Sequence, residues 1–455
     1  MSGKVKICTS IIAREEEHVI ERCLNNLSPY TDAIAVCVNG PTWQNDKTIT
    51  LINRYMREKG IPGEVIATTW KDFGTNRTEA LRHSEDVVYR IERGMLGPAG
   101  SDPKQDGEGP VEEGPVSFDE EEKPSRSTRF ESTPDASPQY SGDSFLASRL
   151  KRNKPADLKN KWYFMFMDVD NQVFPNEDEE TDPKDKGIFS FDKSKLDADS
   201  YMIDMKMANS VYGYTWMVQC NPERRWSWRG VLHEFVGVVD KKATTRGKIK
   251  GGYILSSREG ARNKNPVKYY NDAIVFKKTI PTTTDDLLTR YWFYMAQSWR
   301  DAGEHRLARD AYLKRAEMGG WEEEVYFSWY EAGKLSIKIE ARKNKHLIYF
   351  FKACEIKRSR WEAAFRIIEF FRMNNMFKEG WNFAKDRLEE NWQENYLFVE
   401  HDIHEWRFKD SASICAWYAG AKHQWDKLTK EILKVKSLPA SDRARILKDR
   451  NTFKL

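Results

Sequence analysis

The amino-acid sequence predicts two unlike halves, an α/β domain on a mostly parallel open sheet followed by an all-α domain of helical repeats. Three observations predict this. Apolar runs and amphipathic stretches alternate over the first ninety residues. The β-prone run Trp162-Tyr-Phe-Met-Phe-Met-Asp168-Val-Asp170 carries two acids to a strand end. Past Pro281 strand signals cease, and helical periodicity and aromatic content take over. The expected domains are residues 1–280 and 281–455.

The elements follow in order. Val5–Ile12 reads as a strand, after which Val19, Ile20, Cys23, Leu24 and Leu27 share one helical face. Ala33–Val38 is a second strand, stopped by Asn39-Gly40. Asp46 is a cap for a helix whose Ile49, Ile52, Tyr55 and Met56 form a stripe. Gly60-Ile-Pro62 punctuates, Val65–Thr69 is a third strand, and a helix spans about Asn76–Arg93. From about 97 to 159 the chain holds eight of its seventeen prolines and the acid run Asp119–Glu122, with too little apolar surface to offset ordering entropy, so a disordered insertion is expected. Tyr201–Met205 and Tyr212–Val218 then alternate like strands. In the second half Trp299, Ala302-Gly303, Ala308, Tyr312 and Ala316 follow the spacing of a repeat of about 34 residues. Trp329, Ala332-Gly333 starts a second copy, Trp361, Ala364, Phe377 and Trp381 give a third, and Trp417, Ala419-Gly420 and Trp425 a fourth; a generic helical bundle is the alternative.

Composition narrows the classes. The 74 basic and 70 acidic side chains leave a formal charge of +4, which gives no general case for nucleic acid. No 18-residue window is apolar enough to span a bilayer, and Met1-Ser-Gly-Lys4 opens no signal peptide, so no integral membrane association and a cytoplasmic location are expected, host cytoplasm or virion if viral. Six cysteines without CxxC spacing read as reduced core thiols. The sixteen tryptophans fit core packing, helical repeats or sugar-binding clefts.

Asp168 and Asp170 carry the chemistry. Two carboxylates at the C-terminal end of a buried strand place hard oxygen ligands where open α/β sheets bind ligands, suiting Mg²⁺ or Mn²⁺ on a diphosphate. The plain alternative is a strand cap. Asp72 and Arg77 flank a turn into a helix, suited to a uracil edge and a phosphate, or to a helix cap and an ion pair. Arg258 and Arg262, spaced i,i+4, read as a diphosphate-clamping lid or a solvated helix face. Trp226 and Trp228 alternate, as sugar-stacking platforms or as core.

In order along the chain, Ile11-Ile-Ala-Arg14-Glu15-Glu16, Asn39-Gly40 with Asp46-Lys-Thr48, and Trp70-Lys-Asp72-Phe73 with Asn76-Arg77 are followed by Asp168-Val-Asp170, Arg229-Gly-Val-Leu-His233-Glu234 and Arg258-Glu-Gly-Ala-Arg262-Asn263. This series resembles the GT-A (Rossmann-like) glycosyltransferases of family 2, in the branch that carries C-terminal tetratricopeptide-like repeats. The chain departs from the family at Asn39-Gly40-Pro41, where Gly-Ser-Thr-Asp-Gly is usual, and at Ala13-Arg14-Glu15, where Lys-Asn-Glu is common. The resemblance implies a UDP-sugar donor, UDP-glucose first, with contacts from Ile12, Arg14, Glu15 and Asn39 and from Asp72 and Arg77. It also implies donor contacts at Asp168, Val169, Arg258 and Arg262, and Mn²⁺ or Mg²⁺ held by Asp168, Asp170 and His233. For an inverting enzyme, Glu234 is the first candidate for the base, acting with Asp170. The implied acceptor is a protein- or glycan-linked hydroxyl, a collagen-type galactosyl-hydroxylysine among those to screen, and the repeats would bind acceptor or form a homodimer. The rivals are a non-catalytic scaffold with a degenerate catalytic domain, and a sugar-nucleotidyltransferase. Residues 9–17 hold none of the glycine that the latter needs after its first strand.

Overall fold

A computed structural model describes residues 3–39, 47–98, 158–176, 189–207, 210–240, 242–257, 259–284, 286–340, 345–390 and 397–452. Residues 99–157 of the expected insertion, the expected cap Asp46 and the expected lid residue Arg258 lie outside them. The chain divides into two units, 1–266 and 267–455.

The first unit holds an eight-stranded sheet. Its strands are β1 (Val5–Ala13), β2 (Ala33–Asn39), β3 (Gly63–Thr68), β4 (Lys161–Phe166), β5 (Asn171–Pro175), β6 (Ser200–Met207), β7 (Ser210–Gln219) and β10 (Arg246–Ser256), in the order β3-β2-β1-β4-β7-β6-β10-β5. Neighbours from β3 to β4 are parallel, as are β6 and β10. β7 runs antiparallel to both its neighbours, and β5 closes the edge antiparallel to β10. A separate ribbon pairs β8 (Trp226–Arg229) with β9 (Phe235–Val238).

The centre of the sheet is covered on both faces, which is why its strands read as unbroken apolar runs. On β4, Tyr163 and Met165 join Ile7, Ile11, Val36 and Val38 under α1 (Ile20–Leu27) and α2 (Lys47–Lys59). The alternate residues Trp162, Phe164 and Phe166 pack with Leu81, Val87 and Val88 of α3 (Phe73–Glu92) and with Trp226 and Trp228. All six cysteines are free and buried. β5 and β10 were not read from the sequence. β5 follows the Asp168–Asp170 turn directly, and β10 alternates exposed and covered residues with glycines at 247, 251 and 252, which breaks its apolar signal.

The second unit is all helix: α4 (Lys268–Thr279), α5 (Leu287–Asp301), α6 (His305–Glu317), α7 (Glu322–Glu340), α8 (Lys345–Ile356), α9 (Trp361–Met373), α10 (Phe377–Lys385), α11 (Phe408–Tyr418), α12 (Lys422–Ile432) and α13 (Ala440–Thr452). Successive helices from α4 to α10 pack on one another, as do α11 and α12. α4 packs on α5, so the division falls at Pro266/Val267 rather than near 281.

Helix pairs account for the repeat pattern, with one difference. Gly303 and Gly420 follow helix ends with φ of 82° and 86°, the left-handed conformation that glycine tolerates. Gly333, in the same Ala-Gly pair, lies inside α7, where a Cβ would stand 2.4 Å from the buried Phe350 ring of α8. The same two letters terminate a helix in the first and fourth copies and allow close helix packing in the second.

Candidate functional site

β1 leads to β2 on one side, while β4 pairs with its other side. Strand order reverses there, and in open α/β sheets such a switch point is where ligands bind, at the carboxyl ends of the strands. β4 ends at Phe166, and Asp168-Val169-Asp170 turns immediately beyond it, the Asn171 N–H donating to the Asp168 carbonyl at 2.9 Å. Val169 is buried and half-buried Ile12 lies near the end of β1.

α3 supplies the opposing residue. Its start is pinned three ways. Asp72 accepts from Thr75 N at 2.8 Å and Thr75 Oγ1 at 2.7 Å, Asn76 Nδ2 donates to Thr69 O at 2.9 Å, and Phe73 N donates to Val231 O at 3.2 Å. Gly74 allows the ribbon loop close, since a Cβ would meet Gly230 O at 2.4 Å. One turn in, Arg77 stacks on Trp228 at 5.0 Å, its Nε donating to Glu234 Oε1 at 2.5 Å and its Nη2 to Asp168 Oδ1. Arg77 and Glu234 are largely covered, whereas the Asp168 side chain is 42% exposed. Burial alone would lower the guanidinium's pKa, but the charges of Asp168 and Glu234 outweigh it and hold Arg77 more firmly protonated.

Asp170, on the same turn, has partners of its own. Its Oδ2 accepts from Gly260 N at 3.0 Å and its carbonyl from Ser257 Oγ at 2.5 Å. Burial pushes its carboxyl up and the Asp168 charge adds to this, against the Gly260 hydrogen bond. A Cβ on Gly260 would lie 3.1 Å from Asp170 Oδ2 and 3.4 Å from Glu16 Oε1, so Glu16 approaches the same point. The Cys23 thiol is pushed up to about 12, first by burial and then by the charges of Asp168, Asp170 and Glu16.

The structure thus brings together Arg77, Asp168 and Glu234, with Asp170 on the same turn as Asp168. The other expected residues are placed as follows. Asp72 caps α3. Asn39 is buried, its amide donating to Thr68 Oγ1 across the ends of β2 and β3. Arg14 and Glu15 form an exposed pair at 3.7 Å, Glu15 with φ of 54°. His233 is exposed in the β8–β9 loop with φ of 50°. Among the described residues no group of three His, Cys, Asp or Glu side chains is gathered as for a metal ion.

Arg262 lies in a 3-10 turn, Ala261–Lys264, that follows the end of β10 at Ser256. Arg262 lies over the Phe73 ring at 4.8 Å. That segment is also anchored, Arg22 bonding Glu259 and His18 Nε2 lying 3.1 Å from Glu259 O. Trp226 and Trp228 are core, buried against α3 and Phe166, rather than open platforms.

Sequence reasoning missed Tyr214 of β7, whose buried hydroxyl has no hydrogen-bond partner among the described residues. Burial raises its pKa, with the charges of Arg77, Asp168 and Glu234 acting on it as well, which sets it beside the three. Glu16 is a second residue that the fold brings to this turn. Its approach to Gly260, 244 positions away in sequence, leaves no local signal.

No family model matches the chain, and no curated protein matches its sequence. Three solved structures are similar to it: MamA (11% identity, covering 39% of this chain and 92% of that one, TM-score 0.29); YrrB, described as a TPR protein with an unusual peptide-binding site (14%, 40% and 84%, 0.29); and BtubC from P. vanneervenii (14%, 41% and 76%, 0.28). The description of the second unit as helical repeats rests on its own paired helices. Among the described residues no helix is long and apolar enough to cross a membrane. What is defined is an α/β unit with an acid-and-arginine site at its sheet's switch point, joined in sequence to a helical-repeat unit.

Proposed function

We propose that the α/β unit is a metal-dependent glycosyltransferase of the GT-A type, moving a hexose from a nucleotide diphosphate donor to a protein- or glycan-linked hydroxyl. The observation that supports it most is the position of Asp168 and Asp170 on one turn at the carboxyl end of β4, where strand order reverses. UDP-glucose as donor, and family 2 as the nearest kin, rest on the motif resemblance alone.

The donor set fits a small hard cation. Mg²⁺ and Mn²⁺ sites of this kind use one or two carboxylates and take their other ligands from substrate phosphates and water, so a third protein ligand is not required. Asp168 already attracts a cation, the Arg77 guanidinium. Asp168 and Asp170 would hold the metal, which when bound neutralises charge developing on the diphosphate. The chain's own residues do the rest. Arg77 holds the Glu234 carboxylate in one orientation, and Glu234 is the group proposed to take the acceptor's proton. Trp228 and the loop at Gly230 keep both side chains largely out of water. His233 is proposed as a phosphate or metal contact through its exposed loop, and the helical unit as an acceptor-binding or homodimerising surface.

One observation favours the scaffold reading, namely that Arg77 neutralises Asp168 without any metal. The two readings separate on one experiment. A panel of nucleotide sugars is screened for Mn²⁺-dependent release of UDP, and UDP binding is followed by calorimetry with and without EDTA. The transferase reading expects both to need the cation, and expects Asp170→Ala to abolish turnover with the fold retained, since the change lies in a turn rather than a strand. Equal UDP affinity in EDTA, or near-normal turnover in Asp170→Ala, removes it.

A further inference from the structure

Arg77 sits where a site for a cationic cofactor would be expected to stay open. Its guanidinium joins two carboxylates distant in sequence, Asp168 at 91 residues and Glu234 at 157. It cannot drift freely, because the Trp228 ring lies against it at 5.0 Å and the helix start that carries it is pinned to the ribbon loop. The two carboxylates are unlike: Glu234 is 11% exposed and Asp168 42%. A competing cation therefore reaches Asp168 from solvent and does not reach Glu234. A pair with one exposed partner is the weaker of the two, since solvent screens it.

We propose that Arg77 is an internal latch: it occupies the cation's place on Asp168 until a divalent cation arriving with a nucleotide diphosphate displaces it, and it stays on Glu234 throughout. This rests on the metal-dependent reading above and adds regulation of the same site. The consequence is an ordered site. Metal alone must compete with a tethered guanidinium and binds weakly. Metal with diphosphate brings ligands of its own and wins. Once displaced from Asp168, Arg77 makes its remaining charge-assisted bond to Glu234, so occupation of the donor site is transmitted to the acceptor side. Arg77 is thus a positioning residue.

The test uses the full-length chain and Mn²⁺ as the probe, with free Mn²⁺ followed by electron paramagnetic resonance in the presence and absence of UDP. Arg77→Met should bind Mn²⁺ alone about tenfold or more tightly than the parent, with a smaller dependence on UDP, and Arg77→Lys should fall between them. A general change in the site's charge would also raise affinity, so the decisive measurement is a double-mutant cycle. In an Asp168→Asn background the gain from Arg77→Met should vanish if Arg77 competes at Asp168, and should persist if it acts only through the field at Asp170. Thermal unfolding checks that each variant folds. If Arg77→Met does not fold, Arg77→Lys carries the same cycle. Unchanged or weaker Mn²⁺ binding in the folded variant, or a gain that survives Asp168→Asn, overturns the latch while leaving the transferase reading intact. Absence of Mn²⁺ binding in the parent and in every variant, with UDP present, removes that reading and the latch together.

Discussion

Replacing Arg360 by methionine tests the charged interior of the helical unit. Arg360 is 1% exposed. Its Nη1 donates to Glu323 Oε2 at 2.8 Å and to Leu397 O at 2.9 Å, its Nη2 donates to Glu362 Oε1 at 2.7 Å, and its guanidinium lies 4.3 Å from the Tyr326 ring. Removing one partner of a buried ion pair costs about 3–5 kcal/mol, because the remaining charge has neither water nor a counter-ion. Here neither acid is wholly abandoned. Glu323 keeps Lys357 and the Leu397 N–H at 3.0 Å, while Glu362 keeps the Tyr326 hydroxyl at 3.2 Å and lies 3.2 Å from His404 Nε2. The lower end, about 3 kcal/mol, is therefore expected. At about 2–4 °C per kcal/mol for a unit of this size, the melting temperature should fall by about 6–12 °C. Differential scanning calorimetry on the full chain reads this. Adding Glu323→Gln and Glu362→Gln, which removes the stranded charges and keeps their hydrogen bonds, should recover at least half of the loss. A single variant that loses under about 2 °C, or a triple variant less stable than the single, would show that the charges do not act as a unit.

Two further outcomes follow from the same unit. Burial would raise the Glu362 carboxyl, but the His404 imidazole 3.2 Å away and the Arg360 charge hold it at about 2 against an ordinary 4.5. Its contribution, about 3 kcal/mol, should thus be full above pH 4.5 and be lost as pH falls toward 2; urea midpoints across that window should decline in the parent and flatten in Glu362→Gln. Gly333→Ala should destabilise by about 1–2 kcal/mol despite alanine's better helix propensity, because Phe350 is fully buried and cannot yield to a new Cβ at 2.4 Å; a rise in melting temperature refutes the packing argument.

Patterns carried by local periodicity were legible in the amino-acid order. Strands β1, β2 and β4 of the sheet's centre announce themselves because both faces are covered, so most of their side chains are apolar, and the helices between them show their buried stripes. The six buried cysteines were equally readable, as was the pair of acids at the end of β4. The helical character of residues past 281 followed from composition and period together.

What the tertiary structure alone decided is the meaning of those residues. Asp72 was readable both as a base contact and as a cap, and two hydrogen bonds to Thr75 place it as a cap. Trp226 and Trp228 alternate as exposed platforms would, yet α3 lies over them, and that depends on where a helix whose Thr78 precedes Trp228 by 150 residues comes to rest. Gly333 and Gly303 share a local context, and only the neighbouring helix distinguishes close packing from a turn. Arg77, Asp168 and Glu234 meet from three elements separated by up to 157 residues. Secondary structure is written in the nearest few neighbours, through backbone hydrogen bonding and side-chain period. A site is made by chain crossovers, and no local propensity encodes which charges they bring face to face.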